Sequence, residues 1–94
     1  MLLAAESDIQ TAYNRFEDFK EGFGPKFIQD PKLAYEYLSN HSRIGRLYKS
    51  NRRRFLLSRY PFGIFYAVEG SRIVISAILD LRQDPEAIRK RLEE

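Results

Sequence analysis

The chain contains no cysteine and no tryptophan, and only one histidine among its 94 residues. The absence of cysteine excludes disulfide bonds, thiolate metal sites and a cysteine nucleophile, and it is typical of proteins in a reducing cytoplasm. No run of ~18 apolar residues occurs, and the first residues lack a basic segment followed by an apolar one. We therefore expect a cytoplasmic protein without a signal peptide or membrane span, for which no metal or cofactor is predicted.

Apolar residues are plentiful enough to form one small core. They make up 44% of the chain, which includes seven Phe and six Tyr. A chain of this length is typical of one domain, so residues 1–94 are predicted to fold as a single unit.

Positive charge is concentrated in one segment. The net charge is +3, yet the stretch from residue 43 to residue 59 contains no acidic residue. Such clustering indicates either a surface that contacts nucleic acid or an acidic protein, or the solvated edge of a sheet. Its basic residues are Arg43, Arg46, Lys49, Arg52, Arg53, Arg54 and Arg59.

Two segments in the first half of the chain have helical periodicity. The first runs from Glu6 to Glu21, with Ser7 as the predicted N-cap, and the second begins at Pro25. Pro31 interrupts the second pattern, which predicts either a kink or a shorter helix capped by Asp30. The predicted buried stripes consist of Ile9, Ala12, Tyr13, Phe16 and Phe19 in the first helix and Phe27, Ile28, Ala34, Tyr37 and Leu38 in the second.

The second half alternates in the manner of β-strands. Three strands are predicted, with an additional extended segment over residues 43–48, and Asp84-Pro85-Glu86 predicts the start of a final helix. The expected architecture is α+β, with two N-terminal helices packed on a small antiparallel sheet and a short C-terminal helix. The residues predicted to share a face within each strand are Phe55 and Leu57, then Phe62, Ile64, Tyr66 and Val68, then Ile73, Ile75, Ala77 and Leu79.

Two motifs resemble the RelE/ParE superfamily of type II toxin–antitoxin toxins. These are "NRRRFLLSRYPFGIFYAVEG", with its arginine-led strand and Tyr-Pro-Phe turn, and "RIVISAILDLRQDPEAIRKRL", whose last strand runs into Arg-X-Asp-Pro. The segment "AAESDIQTAYNRFEDFKEGFGPKFIQD" is similar to the family's first helix, Gly-rich turn and second helix. Members normally open with a β-strand, whereas only residues 1–4 precede this helix, so that strand is expected to be short or missing. Many relatives carry a histidine where this chain has Asp80.

The form Tyr-Pro-Phe-Gly-Ile-Phe-Tyr is similar to the ParE branch. This resemblance implies a toxin that inhibits DNA gyrase by binding, with no catalysis of its own, and a ParD-like antitoxin as partner. The arginines would then present positive charge to the target from one side of the sheet. The predicted target-binding residues are Arg52, Arg53, Arg54, Arg59 and Arg82.

The RelE branch implies a second function, ribosome-dependent cleavage of mRNA. In that case Arg54 and Arg82 would be the catalytic candidates, but Gly63 stands where the RelE pattern has an arginine, and no aromatic residue follows Tyr66. A third possibility is an inactive, truncated member that only binds antitoxin. His41 has no predicted catalytic partner, and Phe16, Phe27, Phe62 and Tyr66 are expected in the core rather than as platforms for bases.

Overall fold

The chain forms two helices, a four-stranded sheet and a final helix, as described for residues 2–93 by a computed structural model. This confirms the predicted α+β architecture. The elements are α1 (Leu3–Phe19), α2 (Phe23–Asn40), β1 (Arg46–Lys49), β2 (Arg52–Leu56), β3 (Phe62–Glu69), β4 (Arg72–Asp80) and α3 (Pro85–Glu93). None of these helices is both long and apolar enough to cross a membrane.

The sheet has the order β1-β2-β3-β4, and every pair is antiparallel. Both of its faces contribute to a core. On the helix face, Ile64 and Tyr66 pack with buried residues of α1 and α2, such as Ala12 and Phe27. On the outer face, Phe65, Ala77 and Leu79 pack with Ile88 and Leu92 of α3.

A β-bulge in β4 changes which residues face the helices. Phe65 pairs with Ala77 but the next residue, Tyr66, pairs with Ile75, so Ser76 is the extra residue. Its hydroxyl donates to the carbonyl of Phe65 at 3.2 Å. The prediction that Ile75, Ala77 and Leu79 share a face is therefore wrong. Ile75 belongs to the helix-face core, whereas Ala77 and Leu79 belong to the outer-face core.

Helix α1 begins earlier than predicted. It starts at Leu3 with Leu2 in the cap position, so Ser7 lies inside the helix and the predicted cap is wrong. The fully buried Ala5 explains the extension, because it lies one turn before Ile9 and lengthens the apolar stripe. No strand precedes α1 within residues 2–93, and the backbone N–H of Leu2 donates to the Ile75 carbonyl at 3.1 Å.

Helix α2 also begins earlier, at Phe23. Gly22 precedes it with φ of 89°, a conformation that favours glycine. The Glu17 carboxylate accepts the backbone N–H groups of Gly22 and Gly24 at 3.1 and 2.9 Å, which links the two helices. The helix continues through Pro31, so the shorter helix capped by Asp30 does not form.

Two other sequence predictions are confirmed. The additional extended segment predicted over residues 43–48 overlaps β1 (Arg46–Lys49), which extends the predicted three strands to four, and α3 begins at Pro85. The Asp84 carboxylate accepts the N–H of Glu86 at 3.0 Å, as expected of an N-cap residue.

Candidate basic binding surface

Strand register places four cationic residues on the outer face of β1 and β2. Arg46 lies directly opposite Arg54, and Lys49 lies directly opposite Arg52. Arg54 also lies opposite Phe65, a residue of the outer-face core, and opposed residues share a face of the sheet. We call Arg46, Lys49, Arg52 and Arg54 the basic surface.

No carboxylate of the described chain forms an ion pair with the basic surface. The ion pairs found within residues 2–93 join Asp80 to Arg82, Arg89 to Glu86 and Glu93, and Asp8 to Arg91. Like charges directly opposite each other in a sheet are destabilising. The four side chains therefore concentrate positive charge that no ion pair within residues 2–93 neutralises.

Two contacts orient the arginines of β2 on this surface. The guanidinium carbon of Arg54 lies 5.9 Å from the ring centroid of Tyr48, and that ring packs edge-on against Phe65. Arg52 donates from Nη1 to the carbonyl oxygen of Leu92 at 2.6 Å, which connects β2 to α3. A cleft of about 340 Å³ separates the β1–β2 turn from α3, and its charged lining residues are Lys49, Arg52, Arg89 and Glu93.

Gly63 lies beside Arg54 where space is restricted. A Cβ atom at this position would be 3.2 Å from a methyl group of Leu81 and 3.4 Å from Cγ of Arg54. A longer side chain would have to displace Leu81, which packs against the outer-face core. The place where the RelE pattern has an arginine is therefore crowded by neighbouring side chains.

Arg53 lies on the opposite face from its two neighbours. It pairs with Tyr66 of the helix-face core, and its Nη1 donates to the carbonyl oxygens of Arg43 and Gly45 at 3.0 and 2.8 Å. Tyr66 supports the same loop by donating to the Ser42 carbonyl at 2.7 Å. Arg53 thus holds the segment between α2 and β1, and the expectation that all five predicted arginines point from one side of the sheet is wrong.

Arg59 and Arg82 lie beyond the C-terminal ends of β2 and β4, next to residues of the two N-terminal helices. Arg59 follows β2, where its backbone N–H donates to the buried Asp30 carboxylate at 2.9 Å, and its exposed side chain lines a cleft with Lys26. Arg82 follows β4 and forms an ion pair with Asp80 at 2.8 Å. Of the predicted binding residues, only Arg52 and Arg54 are brought together on the outer face.

An aromatic cleft of about 330 Å³ lies beside the Asp80–Arg82 pair. Its lining residues are Arg15, Phe16, Phe19, Phe23, Phe62, Asp80 and Arg82. Beneath it, Phe27 is fully buried and stacks on Phe16 at 4.9 Å. The expected core positions of Phe27, Phe62 and Tyr66 are confirmed, and Phe16 packs partly buried against them.

The Asp80–Arg82 pair gives the molecule a testable pH dependence. Hydrogen bonds from the Arg82 side chain lower the pKa of Asp80 below its ordinary value, against the opposite effect of partial burial. A carboxylate whose pKa is lowered by folding stabilises the fold above its unfolded pKa of ~4 and loses this effect as pH falls through the folded pKa.

Asp80→Asn should therefore cost stability at about pH 6 and progressively less below about pH 4. Urea denaturation of wild type and variant at both pH values measures this difference. Arg82→Gln is the matched control and should show the same trend. If Asp80→Asn lowered the free energy of unfolding equally at both pH values, the ion pair with Arg82 would not lower the pKa of Asp80.

Sequence reasoning did not single out Arg46 and Lys49 as surface residues. Their basic run was noted, but the opposition of Arg46 to Arg54 depends on how β1 pairs with β2. His41, at the C-terminal end of α2, stacks on Tyr37, and its Nδ1 lies 3.1 Å from the Tyr37 carbonyl oxygen.

Comparison of the chain with protein-family models, curated proteins and solved structures finds no match. The resemblance to the RelE/ParE superfamily therefore stays a prediction from the sequence motifs.

Proposed function

We propose that the chain is the toxin of a bacterial type II toxin–antitoxin pair and that it blocks replication by inhibiting DNA gyrase. The proposed family rests on the resemblance of the sequence motifs to the RelE/ParE superfamily. The observed order of two helices, an antiparallel sheet and a final helix agrees with the fold that this resemblance implies. The main observation in favour of gyrase as the target is the basic surface. It is rich in positive charge, but beside Arg54 it has Gly63 where the RelE pattern has an arginine.

Binding accounts for this surface better than RNA cleavage does. RNA cleavage would need charged groups placed around one reacting phosphate, and removing one such donor often costs ~10²–10³-fold in rate. Arg54 lies on the outer face, whereas Arg82 is paired with Asp80 beside the aromatic cleft. Gly63 contributes no donor, and Leu81 fills the space next to it.

The antitoxin in this proposal has an amphipathic, acidic tail. A groove of about 220 Å³ between α1 and α2 offers apolar side chains, among them Ile9, Ile28 and Pro31. A tail lying there would bury apolar residues while its carboxylates face nearby cations such as Lys32, which lines the groove.

A gyrase supercoiling and DNA-cleavage assay with the purified chain tests the proposal, run beside translation of a reporter mRNA on ribosomes. We expect inhibited supercoiling, trapped cleaved DNA and intact mRNA. Arg54→Glu should weaken the inhibition, and circular dichroism should show that the variant is folded. Arg53 is unsuitable for this purpose, because it holds the loop before β1.

Two outcomes would contradict the proposal. Cut mRNA with unaffected gyrase would identify a ribosome-dependent endonuclease. No effect in either assay, with the wild-type chain folded, would favour a protein that only binds an antitoxin.

A further inference from the structure

The opposed charges of β1 and β2 form an unusual arrangement for a sheet edge. Natural sheets place opposite charges across a strand pair, because like charges at this position repel. Here two successive pairs are alike, Arg46 with Arg54 and Lys49 with Arg52. Four positive groups on two short strands match a partner whose negative charges are closely and regularly spaced.

The geometry of the hairpin narrows the choice of partner. Strand β1 is exposed along its whole length at the edge of the sheet. Same-face residues along a strand are about 6.6 Å apart, and directly opposed residues are about 5 Å apart. This spacing applies to Arg52 and Arg54, whereas Arg46 and Lys49 lie on either side of a register shift in β1. The four cations therefore form a compact cluster, and the closely spaced phosphates of a nucleic-acid backbone could contact several of them at once.

Duplex DNA fits this hairpin better than a protein or an RNA duplex does. The centres of protein–protein interfaces are depleted in charged residues, whereas protein–DNA interfaces are strongly positive. Because β2 also pairs with β3, the hairpin is not a free two-stranded ribbon, so it would meet a duplex at the phosphates. B-DNA carries one negative charge per about 1.7 Å of helix axis. An RNA duplex is recognised partly through its 2′-hydroxyl groups, and Arg and Lys side chains offer these groups no acceptor.

We propose that the basic surface binds the phosphate backbone of duplex DNA without sequence preference. Arg46, Lys49, Arg52 and Arg54 contact phosphates, and Tyr48 keeps the Arg54 guanidinium on the outer face. This goes beyond the proposed function, since it requires neither gyrase nor an antitoxin.

The double variant Arg46→Gln/Lys49→Gln tests this inference. Neither side chain takes part in a hydrogen bond or ion pair within residues 2–93, and the substitution removes one member of each repelling pair. The Tm of the variant should therefore equal or exceed that of the wild type. A merely structural role for these two residues would lower it.

Fluorescence anisotropy with a labelled short DNA duplex measures binding across a series of salt concentrations. For the wild type we expect a Kd of roughly 10⁻⁶–10⁻⁴ M near physiological salt, as for other sequence-independent binding. The variant should bind about tenfold more weakly or worse, and its slope of log K against log salt should be shallower by about 2.

Lys26→Gln/Lys32→Gln is the matched control, because it removes the same charge from exposed positions of α2. It should keep most of the DNA affinity. Equal weakening by both double variants would overturn the inference, since net charge alone would then explain the binding. Absence of wild-type binding would overturn it too, as would tighter binding to an RNA duplex of the same sequence or to polyglutamate.

The DNA assay contains no gyrase, so its result is separate from the test of the proposed function. DNA binding without gyrase inhibition would support this inference while contradicting the proposed function. Gyrase inhibition without any DNA binding would do the reverse.

Discussion

Phe27→Ala is expected to lower the free energy of unfolding by about 3–5 kcal/mol, the range found for truncating a buried phenylalanine. The side chain has no exposed surface. Its ring stacks on Phe16 and meets the rings of Tyr60 and Phe62 at centroid distances of 5.1 and 5.2 Å. The substitution removes aromatic contacts with α1, with the β2–β3 loop and with β3 at once.

This loss is large compared with the free energy of unfolding of a small domain. A net stability of about 5–15 kcal/mol is typical, so Phe27→Ala removes a large share of it. Urea denaturation followed by circular dichroism measures the change, with Phe19→Ala as the control. Phe19 was predicted in the buried stripe of α1 but is 79% exposed, so its truncation should change stability by about 0.5 kcal/mol or less.

Similar losses for Phe27→Ala and Phe19→Ala would contradict the assignment of Phe27 to the centre of the core. At temperatures where Phe27→Ala is still folded, its DNA affinity should match that of the wild type. The basic surface lies on the outer face of the sheet, whereas Phe27 packs on the helix face.

The types and order of the elements could be predicted because they depend on local periodicity. Apolar stripes at helical spacing, alternation in the second half and the Asp84-Pro85 start signal each involve residues close in sequence. The beginning of α1 was harder to predict. The N-cap preference of Ser7 is a small local effect, and burial of Ala5 one turn before Ile9 outweighs it.

The faces of β4 could not be assigned from alternation alone. The positions that alternate with Ile75 and Leu79 combine the apolar Val74 and Ile78 with polar residues such as Ser76, so neither face of the strand is uniformly polar and the pattern does not fix the register. One extra residue at Ser76 then transfers Ala77 and Leu79 to the outer face. A bulge of this kind depends on pairing with β3, which is a non-local property.

Composition predicted which segment carries the positive charge, but not which face of the sheet each cationic residue lies on. Consecutive strand residues point to opposite faces, so the run Arg52-Arg53-Arg54 could have been divided from the sequence. The opposition of Arg46 to Arg54 could not, because it requires the register of β1 against β2. The pairing of Arg82 with Asp80 joins residues two apart, and sequence reasoning passed over it.

A second large loss of stability is expected when Asp8 is replaced, because this residue connects the first helix to the last strand and the last helix. Asp8 of α1 accepts the backbone N–H of Ile78 in β4 at 3.0 Å, and it also accepts two hydrogen bonds from Arg91 of α3 at 2.7 and 2.8 Å. Both side chains are largely shielded, with 12% of the Asp8 side chain and 27% of the Arg91 side chain exposed. One carboxylate therefore joins three elements across the edge of β4.

Asp8→Ala should lower the free energy of unfolding by about 2–3 kcal/mol, because it leaves the Ile78 amide without its acceptor and removes a partly buried charge partner of Arg91. Asp8→Asn should cost less, since its amide oxygen can still accept the Ile78 N–H. Glu86→Ala is the control: it breaks an exposed ion pair on α3 and should change the free energy of unfolding far less than Asp8→Ala does.

Urea denaturation of the three variants measures these costs. Hydrogen exchange of the α3 amides should show a second consequence, since α3 is fixed by Arg91 together with a small core around Ile88 and Leu92. In Asp8→Ala the helix should open more often than the sheet, while Glu86→Ala should leave its protection unchanged. Equal stabilities of Asp8→Ala and Glu86→Ala would mean that α3 is held by its apolar contacts, with the Asp8–Arg91 pair contributing no more than a surface ion pair does.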